Sequence, residues 1–191
     1  KSKADLVGLM AKIQKQGGTL PFGWFVNNDA KNSSEYALYL SQSGLGLPDR
    51  DYYLNDDEKF TKIRASYEQY ITDVLAKSGV KNAAEAAKSV LAFEKTLADA
   101  QWSRVQSRDA TKSYNKMTVA DASKLMGELD LAAFFKDAGV SASDIIVRQP
   151  SYLEALATIY KDTDLATWKN YLKFHFVSGY AELLSEDLVN L

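Results

Sequence analysis

The chain has 191 residues, enough for one sizeable hydrophobic core. Its hydrophobic share of 46% and charged share of 25% match globular usage, and a formal net charge of -2 argues against the concentrated basic face of a nucleic-acid binder. No run of about 18 apolar residues occurs, so no membrane span is expected in this stretch, and the lack of cysteine removes disulfides, a thiol nucleophile and thiolate metal ligands.

Lys1 lies directly inside an amphipathic pattern with no signal peptide before it, so the chain is expected to be cut from something longer. Asp5 to Gln16 reads as a short helix with Leu6, Leu9, Met10 and Ile13 on one side, stopped by Gly17-Gly18 and kept from resuming by Pro21. Phe22 to Val26 and Tyr36 to Leu40 are rich in aromatic and branched residues. The polar link Asn28 to Ser34 closes them into a β-hairpin, the one convincing strand pair. A Gly/Pro-punctuated loop follows at 44–54.

From there the pattern is helical. Asp56 and Asp57 suit a helix start, and Phe60, Ile63, Tyr67, Ile71 and Val74 recur at helical spacing up to Gly79. A second long helix runs from about Asn82 to Trp102, with Asn82 and Glu85 spaced as a capping box. Thr118 with Asp121 opens a short helix to Met126, and another covers about Leu131 to Ala138, ending at Gly139. Ile145-Ile146-Val147 is a brief extended stretch. Ser151 is placed to cap a helix from Tyr152 to Tyr160, and a last helix from Leu165 carries Trp168, Leu172, Phe176, Tyr180, Leu183 and Leu184. The expected class is all-α: one mainly helical, multi-helix domain over 1–191 with a single small β-hairpin at 22–40.

The candidate chemistry is thin. His175, the one imidazole, sits among Phe174, Phe176 and Trp168 with no carboxylate one helical turn away, and reads as a packed residue. One His without Cys cannot supply the usual zinc ligand set, and Asp49/Asp51 with Asn55/Asp56/Asp57 lack the spacing of a calcium loop. No G-x-S-x-G is present, and Gly44-Leu45-Gly46-Leu47 meets neither phosphate-loop spacing. No catalytic, metal or cofactor-binding residue is therefore expected. The segment Leu47, Pro48, Asp49, Arg50, Asp51, Tyr52, Tyr53 reads instead as an architectural loop. Glycines turn the backbone, Pro48 stiffens it, and Arg50 between two aspartates can tie it to a neighbour.

Several ordered blocks carry a resemblance. Phe25-Val26-Asn27-Asn28-Asp29-Ala30-Lys31-Asn32-Ser33 precedes Gly44-Leu45-Gly46-Leu47-Pro48-Asp49-Arg50-Asp51-Tyr52-Tyr53-Leu54. Then come Phe93-Glu94-Lys95-Thr96-Leu97-Ala98, Arg108-Asp109, Tyr114-Asn115-Lys116-Met117-Thr118 and Pro150-Ser151-Tyr152-Leu153. Together they resemble the N-terminal region of the neprilysin and endothelin-converting-enzyme family of zinc metallopeptidases, which includes bacterial oligopeptidase O. That family cuts peptides with zinc held by H-E-x-x-H and a distant Glu. Those motifs are missing here, as is the arginine-bearing segment that holds the substrate's C-terminal end.

The resemblance implies a non-catalytic helical domain of a metalloendopeptidase, packed over the catalytic domain of the same parent chain and enclosing a chamber that admits peptide substrates. It implies zinc in the parent and none in this chain, and favours an extracytoplasmic parent, periplasmic or secreted, with a cytoplasmic one left open. Trp24, Phe25, Tyr36 and Tyr39 are the candidate domain-interface residues. The alternative from another class is a free-standing helical interaction or ligand-binding module without peptidase activity.

Overall fold

The computed structural model describes residues 2–181. Among them the chain forms α1 (Ala4–Lys15), β1 (Phe22–Asp29), β2 (Asn32–Gln42), α2 (Asp51–Leu54), α3 (Glu58–Lys77), α4 (Ala83–Ala100), α5 (Arg104–Ser107), β3 (Asn115–Thr118), α6 (Val119–Met126), α7 (Leu131–Ala138), β4 (Asp144–Val147), α8 (Pro150–Asp162) and α9 (Leu165–Gly179). The protein is mainly helical. The all-α expectation with one hairpin needs correction, because the strands form a four-stranded mixed sheet in the order β1-β2-β4-β3. Strand β4 pairs parallel to β2 through Tyr39↔Ile146 and Leu40↔Val147, and antiparallel to β3 from Asn115↔Val147 to Thr118↔Asp144. Both added strands have four residues, and β3 is polar, so neither announces itself by alternation.

Helix boundaries follow local chemistry in several places. Thr118 accepts from the Asp121 amide, Asp130 from that of Ala133 and Asp164 from that of Thr167, each satisfying an orphan N–H of a first turn. Gly139 closes α7 in the left-handed conformation. Other expected caps do not form. Asn82 makes no side-chain cap bond, and α8 starts at Pro150, whose missing N–H and fixed φ suit a first helical position, rather than behind Ser151. A capping box that the sequence reading missed, Ser103 with Gln106, opens α5. Leu9, expected on the inner face of α1, is exposed. Leu183 and Leu184 lie outside the described residues.

One core joins these parts. Helix α4 packs on α9 through Phe93 against Trp168 and Tyr171, at ring separations of 4.7 and 4.8 Å. Helix α3 meets α9 through Tyr67 and Phe174 at 5.9 Å. Helix α7 covers one face of the sheet, edge-on from Phe134 to Phe22 at 4.9 Å and from Phe135 to Trp24 at 6.3 Å. No helix among the described residues is long and apolar enough to cross a membrane.

A two-stranded ribbon alone is marginal in water, so the hairpin needs anchors. One is Asp29, 2% exposed at the turn, whose carboxylate accepts from Lys116 Nζ at 2.9 Å, Tyr114 Oη at 2.8 Å and the Lys31 amide at 2.9 Å. The other is Tyr39, whose hydroxyl donates to the Asn28 carbonyl and accepts from the Ala30 amide. The Lys116 bond, then the Lys31 amide, hold the Asp29 carboxyl at about 2, below its usual 3.8. A depressed folded-state pKa stabilises above the unfolded value and is lost as pH falls through the folded one. The stability gap between the protein and Asp29→Asn should therefore be full above about pH 4 and shrink towards about pH 2. Denaturant titrations at stepped pH check this, and a gap constant across that window would contradict it.

Candidate functional site

The most concentrated chemistry in the molecule surrounds Glu94. The α4 pattern places Val90, Phe93, Leu97 and Ala98 inward, and Glu94 shares that stripe with no exposed surface. An isolated buried carboxylate is expensive, so its oxygens must be met by donors. They are met from four other segments. The Gly46 amide donates to Oε2 at 3.2 Å, Tyr53 Oη donates to the same oxygen, Tyr67 Oη lies 3.0 Å from both oxygens, and His175 Nε2 is 2.7 Å from Oε1. Burial first, and the Glu94 charge second, push the Tyr53 and Tyr67 hydroxyls far above the ordinary phenol range. Tyr171, with a hydroxyl on the Gly44 carbonyl at 2.8 Å, is pushed up for the same reasons. All three phenols are thus donors, as this carboxylate and carbonyl require.

The two loop glycines become necessary here. Gly44 has φ +95, and a side chain there would meet Pro21 and the Tyr171 hydroxyl, while a methyl at Gly46 would overlap the Tyr67 hydroxyl. Their role is close backbone approach to a polar core. His175 is buried at 6% exposure, and its partner lies 81 residues away, which no local reading could reveal.

The loop beyond Gly46 continues the same anchoring. Leu47 donates its amide to Tyr53 Oη at 2.9 Å. Asp49 accepts from the Asp51 amide and pairs with Arg104 at 2.8 Å. Arg50 donates Nε to the Ala98 carbonyl at 3.2 Å and Nη2 to that of Asp99 at 3.5 Å, placing a cation at the negative C-terminal end of α4. Tyr52 packs edge-on against Phe60, and its carbonyl accepts from Arg64. Pro48 and Asp51 stay at the surface. The candidate interface residues separate: Phe25 stacks on the buried Tyr39 at 5.2 Å on one face of the hairpin, whereas Trp24 is half-buried against Phe135 and Tyr36 is 78% exposed. Val26 and Val105, exposed at 60% and 78%, were not singled out by the sequence.

These residues do not fit a zinc ion. Glu94 already has four donors and His175 is committed to it, and among the described residues no group of three His, Cys, Asp or Glu side chains converges as a metal site. The geometry defines a polar keystone inside a helical scaffold, with the Glu94 oxygens and His175 turned to one another in the interior.

The whole chain, residues 1–191, matches the N-terminal sequence model of peptidase family M13, and the chain belongs to that family. It is 32% identical to endothelin-converting enzyme 1 of Cavia porcellus over 173 residues, covering 86% of this chain and 23% of that protein. Endothelin-converting enzyme-like 1 of Mus musculus is 28% identical over 188 residues, covering 95% and 24%. The chain thus spans about a quarter of the length of these relatives. Among solved structures, zinc metalloprotease ZMP1 of Mycobacterium tuberculosis with an inhibitor superposes with a TM-score of 0.92 at 28% identity, over 99% of this chain and 29% of that one. PepO from Lactobacillus rhamnosis shares the fold, with a TM-score of 0.81 at 20% identity over 97% of this chain and 30% of that one.

Removing the keystone carboxylate strands four donors in the interior. Glu94→Ala should lose about 3–5 kcal/mol of unfolding free energy, read from denaturant midpoints, and a variant within about 1 kcal/mol of the parent would sink the keystone role. Arg50→Ala should cost about 1.5–3 kcal/mol through its charge-assisted bonds to α4. Unchanged stability there would remove Arg50 from the anchors of the loop.

Proposed function

We propose that this chain is the non-catalytic helical domain of a zinc-dependent metalloendopeptidase, closing one side of the catalytic chamber and limiting entry to peptides. Family membership over the full length carries the reading, together with a length of about a quarter of the relatives it matches. The polar chemistry supports it, because the one histidine is spent on an internal bond to Glu94. In this reading zinc and the hydrolytic groups belong to the catalytic domain of the parent chain. Here the domain contributes shape, a rigid wall and a docking surface.

The hairpin supports the docking part. Phe25, Val26 and Tyr36 are exposed on a ribbon anchored at Asp29 and Tyr39, a placement that suits a surface meant to meet another part of the parent. The test uses the full-length enzyme with paired cysteines that lock this domain against the catalytic domain or leave it free. Locking should slow cleavage of long unfolded chains more than cleavage of short peptides. Equal rates in both states would remove the gating role and favour a free-standing interaction module.

A further inference from the structure

Helix α7 covers one face of the sheet, and the opposite face carries two hollows that share Arg148. One, of about 360 Å³, lies between Ser41, Ser43, the Leu47–Asp51 segment and Arg104. The other, of about 450 Å³, is bounded by Phe25, Asn27, Tyr39 and Tyr114. Residues two apart on a strand share a face, so Tyr39 in one hollow and Ser41 in the other put β2 beneath both. The Arg148 amide bonds the Leu40 carbonyl at 2.9 Å, which holds this residue beside β2 where the hollows meet. From Tyr39 to Ser43 the extended backbone covers about 13 Å, the span of four extended residues.

Charge distinguishes this face. Among the described residues Arg148 has no carboxylate partner, and its guanidinium makes one long bond, from Nη2 to the Ser107 carbonyl at 3.4 Å. Arg50 is held by main-chain carbonyls, and Arg104 is paired with Asp49. Three arginines thus line the first hollow against two aspartates, one of them already engaged, in a chain whose net charge is negative. A planar fork of donors left without a carboxylate is suited to receive one in bidentate geometry. The neighbouring ledge is aromatic, with Phe25 and Tyr39 rings parallel within 3°.

We propose that this arginine-lined face binds a short extended acidic peptide, with its carboxylate on Arg148 and an apolar side chain on the exposed Phe25 ring that stacks over the buried Tyr39. The inference deepens the peptide-handling reading above and rests on it, yet it is read by binding to this chain and not by cleavage.

The probes are acetyl-Ala-Phe-Ala-Glu-Ala-amide, its Gln counterpart, and acetate alone, each titrated into the 15N-labelled chain. The acidic peptide should shift resonances of Arg148, Tyr39 and Phe25 and bind roughly ten- to a hundredfold more tightly than the Gln peptide, the size of one charge-assisted bond. Arg148→Gln should erase that preference, and Phe25→Ser should weaken the peptide without altering any acetate effect. Added salt should weaken the acidic peptide alone. Equal binding of both peptides, no binding, or a preference that survives in a folded Arg148→Gln variant overturns the proposal. Acetate reproducing every shift at the same concentration overturns its peptide part. Failure here leaves the gating role to the domain-locking experiment.

Discussion

The rest of the structure hangs on one buried carboxylate. Glu94 joins the Gly46 backbone, Tyr53 of α2, Tyr67 of α3 and His175 of α9 to α4. Desolvating a carboxylate costs several kcal/mol, and replacing such a group by well-packed apolar residues is often no loss in stability. Its value lies in specificity. Four donors from four segments can converge on one pair of oxygens only if α3, α4, α9 and the loop adopt one mutual arrangement. A one-residue slip of any helix would leave a charge and its donors unmet. Apolar contacts such as Phe93 with Trp168 and Tyr171 supply most of the favourable free energy, but they tolerate repacking in a way that this cluster does not.

That constraint propagates outward along the loop. With Gly44 under Tyr171 and Gly46 against Glu94, the backbone has a fixed origin from which Leu47 to Tyr53 depart. Tyr53 closes the segment by bonding both Glu94 and the Leu47 amide, so the turn begins and ends on the same carboxylate. Pro48, Asp49, Arg50, Asp51 and Tyr52 are the residues left between those ends. Among them Arg50 reaches the C-terminus of α4 and Asp49 reaches Arg104, shaping the wall of the arginine-lined hollow. The order of influence therefore runs from a buried charge, to a loop, to a surface cleft.

Much of this order is legible in the sequence, and the illegible part has a physical cause. Helix periodicity exposed α3, α4 and α9 because each buries a stripe of large residues at regular spacing. The glycine and proline punctuation marked the loop, since turns and close approaches restrict residue type strongly. The partners of that loop could not be read. Glu94 looks like any helical glutamate until α3 and α9 are folded onto it, and His175 has no carboxylate within one turn. The sheet was underread for a related reason: β3 and β4 have four residues each, and parallel pairing of β4 with β2 is a long-range event without a local pattern. Side-chain caps were the least dependable signal. Thr118 forms one and Asn82 does not, although both sit where capping residues belong.

The two halves of the molecule differ in how they meet water. Around Glu94 the polar groups are satisfied internally, whereas the hairpin presents Phe25, Val26 and Tyr36 outward on strands with little beyond them. Flexible apolar residues would collapse onto the nearest core. These do not, because the hairpin is pinned at its tip by Asp29 to Lys116 and Tyr114 of the β3 segment, and at its base by Phe22 and Trp24 against α7. Rigid display of apolar surface brings no folding benefit to the isolated chain. Its physical advantage appears on contact with a second surface, where ordering the side chains and backbone would otherwise subtract from the free energy of docking. In the docking proposed above, a hairpin pinned in this way has already met that cost during folding, so its apolar contacts would count almost fully towards holding the catalytic domain in one orientation.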